Sequence, residues 1–120
     1  MNKFQSNIPI YIQVIEDIKM QIMSGKLKPG DKLSSVRELA LELGVNPNTI
    51  QRALSELERD GLIYTERAVG RYVSEDLTLI EEYRKQKVAK NIRQFVQEMN
   101  DLGVKKEDII CYLQNDKEGL

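Results

Sequence analysis

The chain has 120 residues, 41% of them apolar and 31% charged, and its formal net charge is −1. That length suits one compact domain plus a small appendage and excludes two large domains. It contains no histidine and one cysteine, which excludes Ser-His and Cys-His enzymes and leaves a zinc site only carboxylates, so no metal or cofactor is expected. Apolar runs are short, and the opening MNKFQSNIPIYIQ has no basic region followed by a long apolar stretch. The expectation is a chain with no secretion signal, no membrane span and a cytoplasmic address. Charge is balanced along the chain: 0 over residues 1–25, +1 over 26–73 and −2 over 74–120. An electrostatic role must therefore rest on where charges point.

The first predicted element is a helix over residues 9–24, with Tyr11, Ile15, Ile18 and Ile22 on one apolar stripe. Pro9 suits its first turn, and Gly25 is placed to cap its end. Lys28-Pro29-Gly30-Asp31 reads as a turn. A second short helix opens at Ser34-Ser35, with Glu38 three residues beyond Ser35 as in a capping box. Its inward face is Val36, Leu39, Ala40 and Leu43.

Gly44 and Pro47 then interrupt a pattern that would otherwise continue as one helix. Gly44 can take the left-handed conformation that ends a helix, and Val45 packs back. Asn46 is a good N-cap, and Pro47 suits the first position of a new helix running to about Asp60, with Ile50, Ala53, Leu54 and Leu57 inward. The pair is a helix-turn-helix. After Gly61, the runs LIYT and RYV flank a tip containing Gly70 and read as a β-hairpin, the wing of a winged helix.

Ser74-Glu75-Asp76 is a polar hinge and the expected boundary between a winged helix over 1–76 and a helical tail over 77–120. In the tail, Leu77, Ile80, Val88, Ile92, Phe95 and Met99 mark a long amphipathic helix that Gly103 breaks. A last short helix from Glu107 to about Asn115 carries Ile109, Ile110 and Leu113. Cys111 reads as a small core or interface residue, because nothing basic flanks it to favour a thiolate.

The start of the third helix presents Asn46, Asn48, Thr49, Gln51 and Arg52, groups that read base edges in a major groove. On a bare helix they would be an ordinary solvated face. After a helix-turn-helix, and before a wing bearing Arg67 and Arg71, they point to double-stranded DNA. Arg37, Ser35 and the free N–H groups at the start of the second helix suit phosphate. Glu56, Glu58 and Asp60 fall late in the third helix, away from that end. The competing class is a winged helix that binds protein and shows no salt-dependent DNA binding.

A two-helix tail of this length cannot bury its stripe alone. It must dock on the winged helix, pair with a second copy, or both, and a different protein is the remaining partner. Pairing would set two recognition helices roughly 34 Å apart, one DNA turn. A small-molecule effector is a further possible partner, but no residues mark its site.

These residues resemble the GntR family of bacterial transcription regulators from Ile8 to about Asp76: PIYIQVIEDIKMQI, then SGKLKPGDKLSSVRELALELGVNPNTIQRALSELERDGLI, then a Gly-Arg-Tyr-Val wing. The short tail looks like the YtrA-like branch. The resemblance implies a homodimeric winged-helix repressor on a pseudo-palindromic operator. By position it implies that Arg37, Asn46, Asn48, Thr49, Gln51 and Arg52 face DNA, with Ser35 on phosphate and Gly70 and its neighbours in the minor groove. Two departures stand out: Ser34 replaces the proline usual before the second helix, and Pro47 replaces a residue that is often basic.

Overall fold

A computed structural model describes residues 4–115. The elements are α1 (Ile10–Met23), α2 (Val36–Leu43), α3 (Pro47–Arg59), β1 (Ile63–Glu66), β2 (Gly70–Val73), α4 (Leu77–Asp101) and α5 (Lys106–Asn115). The chain divides into two units, one through Tyr83 and one from Arg84.

In the first unit, α1 buries Val14, Ile15, Ile18 and Ile22, while Tyr11 is only half-buried at the rim. The inward face thus takes in Val14 and Met23 beyond the expected stripe. Ser35 caps α2 in a full capping box. The Glu38 N–H donates to Ser35 Oγ at 3.1 Å, and the Ser35 N–H donates to Glu38 Oε1 at 2.8 Å. Hydrogen bonds from the Ser35 backbone N–H and the Ser35 side chain hold the Glu38 carboxyl below its ordinary pKa, helped by the positive charge of Lys32. Ser34 is therefore not needed as the cap, and the missing proline costs no capping bond.

Gly44 adopts φ 65° and ψ 38°, and the Val45 N–H returns to the Ala40 carbonyl at 3.0 Å. The left-handed step reverses the chain within one residue. The Asn48 N–H then donates to Asn46 Oδ1 at 2.7 Å, and Pro47 opens α3. Ile50, Ala53, Leu54 and Leu57 of α3 have no exposed surface. They meet α1, Ala40, Leu62, Ile63 and Val73 in one core.

The wing pairs antiparallel, Ile63 with Val73 through Glu66 with Gly70, leaving Arg67-Ala68-Val69 as its tip. Tyr64 and Tyr72 are cross-strand partners whose rings stack at 5.7 Å. Residues 30–33 run beside β2, an arrangement that the sequence pattern did not announce. The Gly30 N–H donates to the Val73 carbonyl (2.9 Å), the Val73 N–H to that of Asp31 (2.8 Å), and the Leu33 N–H to that of Arg71 (2.8 Å). The segment Gly30 to Leu33 ties the start of the helix-turn-helix to the wing.

Two expectations change at the start of α4. Ser74 is buried, and its N–H donates to the Leu62 carbonyl at 2.9 Å. Asp76 Oδ1 accepts the Leu79 N–H at 3.1 Å and caps the helix. The 74–76 stretch is thus an anchored cap, and the two units divide inside α4. Ile80, expected on the tail's pairing stripe, is buried in the winged-helix core, with Tyr83 packed against that core.

In the second unit, α4 ends in a turn where the Val104 N–H donates to the Met99 carbonyl at 2.9 Å. Asp108 Oδ2 then accepts the Lys105 N–H at 3.2 Å as α5 begins. Ile109 is buried, whereas Val88, Ile92 and Phe95 of α4 are 50%, 55% and 42% exposed. Ile110 and Leu113 of α5 are also exposed, and Met99 is half-buried; Leu77, in the first-unit part of α4, is exposed too. Cys111 is exposed rather than a core residue of the chain. No helix among the described residues is long and apolar enough to cross a membrane.

Candidate nucleic-acid interface

The turn through Gly44, Val45 and Asn46 determines which face of α3 is free. Four buried residues fix the inward side, so Asn48, Arg52, Ser55 and Arg59 follow at helical spacing on the opposite side, and all four are exposed. Gln51 is exposed at one edge of this row, and Thr49 is half-buried at the other. Asn46 is exposed, but its Oδ1 already serves the cap, which leaves the amide nitrogen as a donor. Ser55 was not singled out in the sequence; its place seven residues beyond Asn48 is the signal that could have found it.

Arg37 sits exposed in the first turn of α2, beside the Ser35 cap. Ser35 Oγ accepts the Glu38 N–H there, and the Ser35 side chain also hydrogen-bonds the Glu38 carboxyl. Arg67 is exposed at the wing tip, next to Ala68, which takes φ 65°. Gly70 lies where the Lys32 side chain crosses the wing: a Cβ there would come within 2.9 Å of Lys32 Cε. Lys32 Cε is the movable end of a flexible side chain, so the stronger demand for glycine here is the backbone, which takes φ 149°.

Arg71 departs from its expected place. Its side chain is 23% exposed, and its buried Nε lies 4.0 Å from Glu58 Oε1 with no hydrogen-bond partner. The physical reason is the register. Arg71 stands opposite Thr65, whose hydroxyl donates to Glu58 Oε2 at 2.9 Å, so both strands of the wing turn towards the end of α3. Arg71 and Thr65 therefore join wing to helix through one carboxylate.

The same end of α3 disposes of its other acids. Glu56 pairs with Arg59 at 3.3 Å, and Asp60 with Lys19 at 3.9 Å. Arg37, Arg52 and Arg67 have no carboxylate within ion-pair distance among the described residues. A nearly neutral chain thus keeps uncompensated guanidinium groups at the start of α2, the start of α3 and the wing tip. Arg52 has one further contact: its Cζ lies 3.7 Å from the centroid of the Tyr11 ring. Among the described residues, no group of His, Cys, Asp or Glu could hold a metal ion.

A helix-turn-helix with a polar, exposed second helix and an adjoining wing defines a DNA-binding module. Comparison with known proteins gives the family. Residues 10–73 match the model for "Bacterial regulatory proteins, gntR family". The HTH-type transcriptional repressor YtrA of Bacillus subtilis is 41% identical over 106 residues, 88% of this chain and 82% of that protein. A GntR family transcriptional regulator from Listeria monocytogenes has a similar structure, with TM-score 0.85 and 43% identity over 95% of this chain and 100% of the other. The AraR DNA-binding domain, solved in complex with operator ORX1, matches with TM-score 0.55 and 32% identity over 62% of this chain and 90% of that one. The chain belongs to the gntR family and is a DNA-binding transcription regulator.

Proposed function

We propose that the chain is a repressor that acts as a homodimer on a pseudo-palindromic operator in the cytoplasm. The observation that carries the DNA reading is the exposed row of Asn48 and Arg52 with Gln51 beside it, at the start of a helix whose opposite face is wholly buried. Amide and guanidinium groups match the donors and acceptors of adenine and guanine in the major groove. Arg37, Ser35 and Arg67 flank the row and suit phosphate contacts that fix its register. The relative named as a repressor and the operator-bound AraR domain support the same reading.

The dimer reading rests on the second unit, where Val88, Ile92, Phe95, Ile110 and Leu113 stay exposed on a two-helix hairpin. A second copy supplies an identical apolar face to cover them, and two-fold pairing matches a two-fold operator. A small effector molecule that alters operator affinity would complete the regulator; no residue is assigned to it.

The test is fluorescence anisotropy of the full chain on the DNA upstream of its own gene and on scrambled DNA, at two salt concentrations. Selective binding that weakens with salt is expected, with a slope of roughly −0.9 for each phosphate neutralised. Equal or no binding to both sequences would count against an autoregulating operator binder.

A further inference from the structure

Arg52 is the arginine of the interface with a platform. Its guanidinium carbon sits 3.7 Å above the centre of the Tyr11 ring, a distance that stacks one flat group on the other. Tyr11 belongs to α1, is half-buried and packs against the core, so the ring is itself held. The ring lines one shallow hollow with Ile10, Asn48, Thr49 and Arg52, at the end of α3 that the proposed function turns towards DNA.

Stacking engages the face of a guanidinium and leaves its N–H donors pointing outward in its plane. Those in-plane donors are the ones that pair bidentately with guanine O6 and N7. A free arginine must lose its rotamer freedom to make such a pair, whereas a stacked one has given up part of it already. Arg37 and Arg67 have no aromatic partner of this kind among the described residues. We infer that Tyr11 is a positioning residue, which holds Arg52 in the geometry for reading a base. The inference rests on the proposal that Arg52 meets a base edge.

The test measures the full chain on three kinds of DNA: an operator selected from random DNA, the same operator altered at one base pair, taking each pair in turn, and scrambled DNA. Tyr11→Leu should reduce discrimination between the first two about two- to fivefold, the range of an exposed cation–π contact. Tyr11→Phe, which keeps the ring, should retain discrimination, and binding to scrambled DNA should not change. In an Arg52→Ala background, Tyr11→Leu should cost nothing further. An equal loss in both backgrounds would overturn the inference, because destabilised packing of α1 acts whether or not Arg52 is present. A Tyr11→Phe loss as large as that of Tyr11→Leu would overturn it in favour of the hydroxyl. If Arg52→Ala alone leaves discrimination intact, base reading by Arg52 fails and the inference with it. A full Arg52 effect with none from Tyr11→Leu overturns the inference alone.

Discussion

The chain through Tyr83 and the chain from Arg84 treat apolar surface in opposite ways. In the first, three helices, the wing and the opening turns of α4 close around Val14, Ile50, Leu54, Leu57, Leu62 and Val73, none of which keeps exposed area. In the second, Ile109 is buried, but Val88, Ile92, Phe95, Ile110 and Leu113 remain uncovered. A closed core holds side chains still enough to present a fixed row on α3. An open apolar face is a poor scaffold for a lone chain and a good seam between chains. Under the proposed function, the difference teaches that recognition and assembly fall to separate surfaces of different chemistry.

Substitutions that keep to one side of this division should have effects of different kinds. The largest is expected from replacing Ile92 and Phe95 together by Asp, which places charges on the open face. Sedimentation should show a monomer, and operator affinity should fall by roughly a hundredfold or more as two-site binding is lost. The near-ultraviolet signal of the stacked Tyr64–Tyr72 pair should persist, because the first unit keeps its fold. A double variant that still sediments as a dimer would remove the tail from the assembly role. Leu57→Ala acts on the closed side and should cost about 2–5 kcal/mol in urea unfolding, by cavity formation in a fully buried site. A loss below about 1 kcal/mol would mean that the core relaxes around the cavity and is less tightly closed than described.

Ser35→Ala should cost about 1 kcal/mol by removing one half of the capping box, read by the same unfolding curve. The other half carries a pH dependence. Glu38 has a lowered folded pKa, so its contribution is complete above the ordinary value of 4.5 and is lost as pH falls through the lower folded value. Acid titration of stability should therefore be shallower in Glu38→Gln than in the natural sequence over that window. Identical titrations would show that the carboxylate's bonds to Ser35 add nothing in solution.

Local rules carried much of this fold. Gly44, Asn46 and Pro47 announce a turn by backbone chemistry confined to four residues, and the turn forms as expected. The capping box at Ser35 is local for the same reason. What stayed hidden depends on contacts between distant residues. The pairing of residues 30–33 with β2 has no alternating pattern to reveal it, since the segment is too short to show a period. Ile80 lies on the same helical stripe as Val88 and Ile92, and periodicity marks an apolar face without saying which body covers each stretch of it. Arg71 carries the charge of a DNA contact, yet strand register turns it to Glu58. The Arg52–Tyr11 stack joins α1 to α3 across 41 positions and leaves no trace in either helix alone. Arg37, Asn48, Gln51, Arg52 and Arg67, chosen from residue type and place, are all exposed on the elements expected of them.

The most direct measurement is selection of binding sites from random double-stranded DNA by the full chain, followed by sequencing. An enriched inverted repeat is expected, with half-site centres about one turn apart, roughly 34 Å. That result would show base reading and two-fold assembly together. Enrichment of a single unrepeated site would contradict the role given to the second unit, and no enrichment would contradict base reading by α3.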